Sequence, residues 1–373
     1  MPTISLRLND QDQAALQHII STTGALSASA AIRELIHDWQ PPIQPVPELE
    51  IVVSADSVRA MRGAKQDVWP LLRETAARFR QHVRRHGWPM ADLPAPLSEV
   101  LADLRAGGQR LASAYLRAVF PSFWHADHGP AISAQREGVL EKVLEYRMGF
   151  NATGEVFDID WAEIRRAFIV QRRTVSFFQP SLAYRLYERF CPQGGDTWDP
   201  SGGFGARMLG FASARPDSAY FANEPAMMTS VDLERLSVSL NHLGRRTQVS
   251  RLGSEHGHPS IQPGTIDCVF TSPPYFGVEN YFDESSQAGK HETLTAWTEK
   301  YLRPTLAHAM RYLKPDGLLV LNTDKSEPYL TVAAEVGFSL ENDEALPVKR
   351  DHYAKRQTGK SVGHERLLIW RKR

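Results

Sequence analysis

Thr271-Ser272-Pro273-Pro274-Tyr275 follows directly on an apolar run, Thr265-Ile266-Asp267-Cys268-Val269-Phe270, so a strand predicted over 265–270 must end in a stiff loop. Two consecutive prolines fix two φ angles and remove two N–H donors, and Pro274 drives Pro273 towards an extended conformation. Backbone carbonyls are left without a local donor. Such a loop can accept hydrogen bonds from the exocyclic amine of a nucleobase through the Ser272 side chain and the Pro273 carbonyl, while the Tyr275 ring stacks on the base. A rigid turn after a buried strand would account for the prolines alone. A second motif decides between the two readings.

Thr197-Trp198-Asp199-Pro200-Ser201-Gly202-Gly203-Phe204-Gly205 reads as a short strand entering a glycine-rich turn, and Ala206 to Ala214 reads as the helix after it. Glycines let a backbone approach a ligand closely, and the helix N-terminus behind them offers unpaired N–H groups. A lone Gly-x-Gly is weak. Here a strand precedes it, a helix follows it, and an acid, Glu224, stands just beyond the next predicted strand at Ala219 to Ala222. That combination predicts a nucleoside-binding half of a doubly wound sheet.

Together these segments resemble the S-adenosylmethionine-dependent DNA amino-methyltransferases, over roughly residues 170–373 and with the motifs in a consistent order. Phe177-Phe178-Gln179-Pro180-Ser181 and the helical Leu182 to Tyr187 look like the family segment that touches the methionine end of the cofactor. By the same resemblance Phe178, Pro180, Asp199, Pro200, Ser201, Gly203, Gly205 and Thr271 border the cofactor, Glu224 holds its ribose hydroxyls, and Ser272, Pro273, Pro274 and Tyr275 form the catalytic loop. The family's usual acid after the third strand is missing; Ser254 and Glu255 stand in its place, and Ser254 is counted among the cofactor-binding residues. Ser-Pro-Pro-Tyr points to cytosine N4 as the methylated amine. The order of the two loops is the opposite of that in many cytosine enzymes, so adenine N6 stays open. The strings Asp199 to Gly210 and Ser272 to Tyr281 also resemble methyltransferase-like proteins of phages and mobile elements. The resemblance implies S-adenosylmethionine as cofactor, no metal, and double-stranded DNA as partner.

The elements that must position these loops alternate. A helical stretch from Ala296 to Leu313 meets Lys314-Pro315-Asp316-Gly317, a predicted turn that launches the strand Leu318 to Leu321. Leu330 to Val336 reads as a helix and Arg366 to Trp370 as a strand. The fold class expected is therefore α/β, a Rossmann-like class I methyltransferase sheet with helices on both faces and ligands at the carboxyl ends of its strands.

The N-terminus has a different signature. Thr3-Ile4-Ser5-Leu6-Arg7-Leu8 alternates with period two, a helix follows from Asp12 to Ser21, Gly24 breaks it, and Ser27 can cap a second helix bearing Ile32, Leu35, Ile36 and Trp39. A unit of about forty residues cannot bury enough surface alone. It resembles the ribbon-helix-helix DNA-binding fold, which implies a homodimer whose paired strands present Thr3, Ser5 and Arg7 to base edges while the helix start near Ser27 holds a phosphate. A repressor with a non-catalytic methyltransferase-like half is the alternative outside enzymes.

The division expected is a ribbon-helix-helix module over 1–40, a proline-rich linker over 41–53, a mainly helical region over 54–169 and a methyltransferase domain over 170–373. Arg78-Phe79-Arg80 and Arg84-Arg85-His86 read as a solvated helical face, while the basic residues from Lys349 to Arg373 read as a candidate DNA-facing patch. Lys plus Arg and Asp plus Glu both number 43, so DNA affinity must come from local patches. Cys191 and Cys268 stand alone and the 13 His show no ligand spacing, which excludes a zinc cluster or disulfide framework. With no long apolar run or signal segment, the expectation is a cytoplasmic protein without a membrane partner.

Overall fold

A computed structural model describes residues 69–86, 88, 90–125, 130–136, 138–150, 161–170, 177–274, 276, 291–323, 327–346 and 365–373, with Ala60 and Asp67. All of them fall within the unit Leu49–Arg373. The expectations for Thr3, Ser5, Arg7 and Ser27, for the linker and for Tyr275 lie outside the described residues.

The helical region contributes α1 (Trp69–His86), α2 (Leu97–Arg105), α3 (Arg110–Val119), α4 (Pro121–His125), α5 (Pro130–Ser133), α6 (Val139–Phe150) and α7 (Trp161–Val170). The remainder alternates: α8 (Pro180–Phe190), β1 (Thr197–Asp199), α9 (Ala206–Ala214), β2 (Ala219–Asn223), α10 (Met227–His242), β3 (Arg246–Ser250) and β4 (Ile266–Thr271). Then come α11 (Leu294–Trp297), a π-helical turn (Thr298–Leu302), α12 (Arg303–Tyr312), β5 (Leu313–Thr323), α13 (Tyr329–Val336), β6 (Phe338–Ala345) and β7 (Arg366–Lys372).

The strands form one sheet of seven in the order β3-β2-β1-β4-β5-β7-β6. Strands β1 to β5 pair in parallel, and β7 runs antiparallel between β5 and β6. This is the Rossmann-like α/β class expected. The order reverses between β1 and β4, so a crevice opens outside the carboxyl ends of those two strands. The glycine loop and the proline loop leave from those ends.

Burial on both faces follows from side-chain alternation. Along β4 and β5, Cys268, Phe270 and Val320 belong to one apolar cluster, while Val269, Leu319 and Leu321 belong to the other. The first cluster runs without a break into the helical region through Phe120, Phe123, Trp124 and Phe168, so those helices cover one face of the sheet. α12, α13 and the π-helical turn cover the other.

One sequence expectation is refined and two change. Residues 314–317 fall inside the span of β5 as an irregularity, and the regular pairing starts at Leu318 as expected: Ile266 pairs with Leu313 and Cys268 with Leu318, and Asp316 takes φ +63°. Phe79 is fully buried and Arg80 pairs with Glu141 at 2.7 Å, so that basic stretch is half core. In the C-terminal basic run, Arg366 pairs with Asp343, Arg371 with Glu341, and Lys372 donates to the Leu313 carbonyl, so these cations knit β7 to its neighbours.

α8 and α9 pack closely because Gly210 lacks a side chain; a Cβ there would sit 2.6 Å from Ala183 Cβ and 2.7 Å from Tyr184 N. Gly210→Val should cost about 1–3 kcal/mol, the usual range for overpacking a tight core. Denaturant unfolding checks it, and an unchanged midpoint would mean that the two helices separate freely.

Candidate active site

Asp199 ends β1 and is completely buried. Its Oδ1 accepts from Thr271 Oγ1 at 2.8 Å, Ser201 N at 3.1 Å and Arg207 Nη2 at 3.2 Å; its Oδ2 accepts from Arg207 Nε at 2.8 Å and from the Tyr220 hydroxyl. Burial works against the Arg207 charge, and the Asp199 carboxylate more than offsets it, so the guanidinium stays protonated. Burial, with Asp199 next to it, raises the Tyr220 phenol well above its ordinary range and keeps it a donor. Asp199 and Thr271 thus spend their side chains on each other rather than on open space. That bond ties the residue opening the proline loop to the residue opening the glycine loop.

The glycine loop is held from several directions. Arg207 also donates to the Ser201 carbonyl, and Ser201 Oγ lies 3.3 Å from the Tyr301 hydroxyl, which the π-helical turn carries. A π turn of this kind is uncommon and is frequent at functional sites. Gly205 must take φ +72°, and a Cβ there would lie 2.6 Å from Leu236 and 2.9 Å from Phe120. Gly203 differs: nothing lies nearer to its Cβ position than the Ser201 carbonyl at 3.9 Å. That face of the loop is open.

Glu224 stands just after β2 with its carboxylate turned onto this loop by two backbone donors, Gly203 N to Oε2 at 2.9 Å and Ala226 N to Oε1 at 3.0 Å. A carboxylate has about four acceptor positions. An anchored acid beside an open glycine suits a nucleoside with vicinal hydroxyls, so the residues present fit S-adenosylmethionine. Ser254 is less simply placed: it is 1% exposed and its Oγ bonds Thr305 Oγ1 of α12 at 2.9 Å.

Ser272 is partly buried, and Pro273 and Pro274 are buried. Asn322 at the end of β5 donates from Nδ2 to Ser272 Oγ and to Glu365 Oε2, each at 3.3 Å. Pro273 and Pro200 wall one small apolar cavity together with Thr271, Tyr301 and Thr305. Phe178 packs its edge on Phe270 at 5.7 Å and lies under the Arg207 guanidinium, and Pro180 begins α8. Arg207, Tyr220, Tyr301 and Asn322 were not singled out from the sequence. A lone cation in the apolar helix Ala206–Ala214 was the one readable signal. Among the described residues no group of acids, His or Cys could hold a metal ion. No described helix is long and apolar enough to cross a membrane.

No protein-family model matches the chain, and no curated protein matches it. Solved structures similar to it include TrmN from Thermus thermophilus, at 18% identity over 52% of this chain and 49% of that one, TM-score 0.36. A methyltransferase from Pyrococcus furiosus aligns at 17% identity over 61% of this chain and 98% of that one, TM-score 0.36. The T. thermophilus 16S rRNA N2 G1207 methyltransferase RsmC, in complex with AdoMet and guanosine, aligns at 18% identity over 52% and 43%, TM-score 0.34. The chain spans about half the length of TrmN.

One buried acid near the glycine loop is electrostatically costly. Asp232 of α10 accepts from Ser122 N of α4 at 2.9 Å, and burial pushes its carboxyl up to about 6, against the Ser122 hydrogen bonds and Arg235. A folded-state value above the unfolded 3.8 means that protonation favours folding, so this contribution is full below about 4 and is lost as pH rises through about 6. Asp232→Asn keeps an acceptor for Ser122 N. It should therefore raise stability at pH 7.5 by roughly 1–3 kcal/mol, with the gain vanishing below about pH 4; unfolding curves at the two pH values check it.

Proposed function

We propose that this chain is an S-adenosylmethionine-dependent methyltransferase acting on the exocyclic amine of a base in DNA, with cytosine N4 favoured. The observation that carries the reading is the 2.8 Å hydrogen bond from Thr271 to Asp199, which holds a glycine loop flanked by an anchored acid directly beside a Ser-Pro-Pro loop at the sheet's switch point. A cofactor loop and an amine-accepting loop within one crevice are what transfer to an amine requires.

The cofactor supplies an electrophilic methyl group when bound. Glu224 accepts from the ribose hydroxyls and Gly203 leaves room beside the loop. Ser272 Oγ and the Pro273 carbonyl accept the hydrogens of the target amine, an interaction that strengthens as positive charge develops on nitrogen. Asn322 Nδ2, 3.3 Å from Ser272 Oγ, fixes the direction of that hydroxyl. Direct attack by the amine needs no enzyme nucleophile, which agrees with two cysteines that are both buried. Tyr275 is assigned the stacking role on the flipped base. Residues 1–40 are assigned dimerisation and DNA contact through Thr3, Ser5, Arg7 and Ser27.

Incubation with labelled S-adenosylmethionine and plasmid DNA, followed by nucleoside mass spectrometry, tests the activity and names the base. Ser272→Ala should lower turnover about a hundredfold while S-adenosylhomocysteine still binds; turnover near wild type would sink the assignment. For the N-terminal module, sedimentation of the intact chain should give a dimer and deletion of residues 1–40 a monomer that binds DNA more weakly. An intact chain that sediments as a monomer at micromolar concentration rules the ribbon-helix-helix reading out.

A further inference from the structure

Arg117, on α3 of the helical region, is a cation for which the described residues supply no carboxylate. Its Nη1 donates only to the Ser113 carbonyl of its own helix at 3.3 Å, and its buried Nε has no partner. Burial lowers its proton affinity with no acid to compensate. A guanidinium held in this way costs free energy unless an anion arrives. What holds it is aromatic: its Cζ lies 5.9 Å from the Phe123 ring centre and 5.2 Å from that of Phe177.

Those two rings fix where the cation sits relative to the crevice. Phe123 also packs edge-on against Phe204 of the glycine loop at 5.7 Å. Phe177 immediately precedes Phe178, which rests on Phe270 of β4. Arg117 therefore stands beside the glycine loop and the 177–180 segment. Glu224 stands on the β2 side. A ligand with its ribose at Glu224, crossing the loop at β1 towards the proline loop after β4, brings its amino-acid end towards Arg117.

We infer that Arg117 binds the carboxylate of the amino-acid end of S-adenosylmethionine, so that the helical region supplies part of the cofactor site. This rests on the cofactor reading above. A guanidinium suits a carboxylate because its planar fork can donate two parallel hydrogen bonds.

Two ligands separate this from a structural role: S-adenosylhomocysteine carries the carboxylate, and 5′-methylthioadenosine has the same nucleoside without it. Calorimetry on Arg117→Met should show S-adenosylhomocysteine weakened about tenfold or more, as expected for a charged hydrogen-bonded pair, with methylthioadenosine within about twofold of wild type. Retained methylthioadenosine binding reports an intact fold. Should that variant not fold, Arg117→Lys, which keeps the charge but not the fork, is expected to narrow the affinity gap between the two ligands. Equal loss of both ligands by the folded variants, or loss of neither, overturns the inference alone. Wild-type protein that binds neither ligand overturns the cofactor reading and this inference with it.

Discussion

The carboxylate of Asp199 is the constraint on which the rest of the crevice depends. A charge with no exposure must be matched by donors and a countercharge, and here they arrive from β2, from β4, from α9 and from the loop itself. Tyr220, Thr271, Arg207 and Ser201 N are each fixed in place by the same two oxygens. Removing one partner of such a buried pair typically costs about 3–5 kcal/mol. Asp199 is thus a positioning residue, and its effect on any ligand passes through the loops it ties together.

The glycine loop is gripped from both faces of the sheet. On one side Phe120 and Phe123 of the helical region set their edges against Phe204, at 6.2 and 5.7 Å. On the other, the π-helical turn brings Tyr301 to Ser201. A loop fixed in this way presents its open face at Gly203 without having to order itself on binding, and preorganisation of this kind lowers the entropy cost of association. The helical region, whose role the sequence left open, is a structural wall of the crevice.

What the sequence made legible was local. Ala206–Ala214 lies where the glycine turn and apolar composition put it, and Ile266–Thr271, Tyr329–Val336 and Arg366–Lys372 follow their apolar runs. β6 escaped notice because Phe338-Ser-Leu-Glu-Asn-Asp-Glu-Ala345 is largely polar and exposed, an edge strand defined by its pairing with β7. The irregularity at 314–317 was legible because proline and glycine mark it, whereas the pairing of Leu313 with Ile266 ahead of it was not. The network around Asp199 was illegible for a different reason: its partners lie up to 72 residues away, and spacing within one segment carries no information about them. Ser254 stood as a cofactor contact by position, yet its hydroxyl meets Thr305, 51 residues on.

The place of β7 has a consequence for the order in which the molecule can be assembled during translation. β6 is made before β7 but touches the sheet only through it, and β5 borders β7 over six residue pairs from Leu318 to Thr323. Until residues 366–372 leave the ribosome, β5 has an open edge whose Leu319, Val320 and Leu321 are destined for full burial. A nascent chain at that stage is an aggregation hazard. The alternating apolar stripe of β7, Leu367 to Trp370, closes both cores at once, so a ribosome that stalls before it releases a chain with two unfinished faces rather than one.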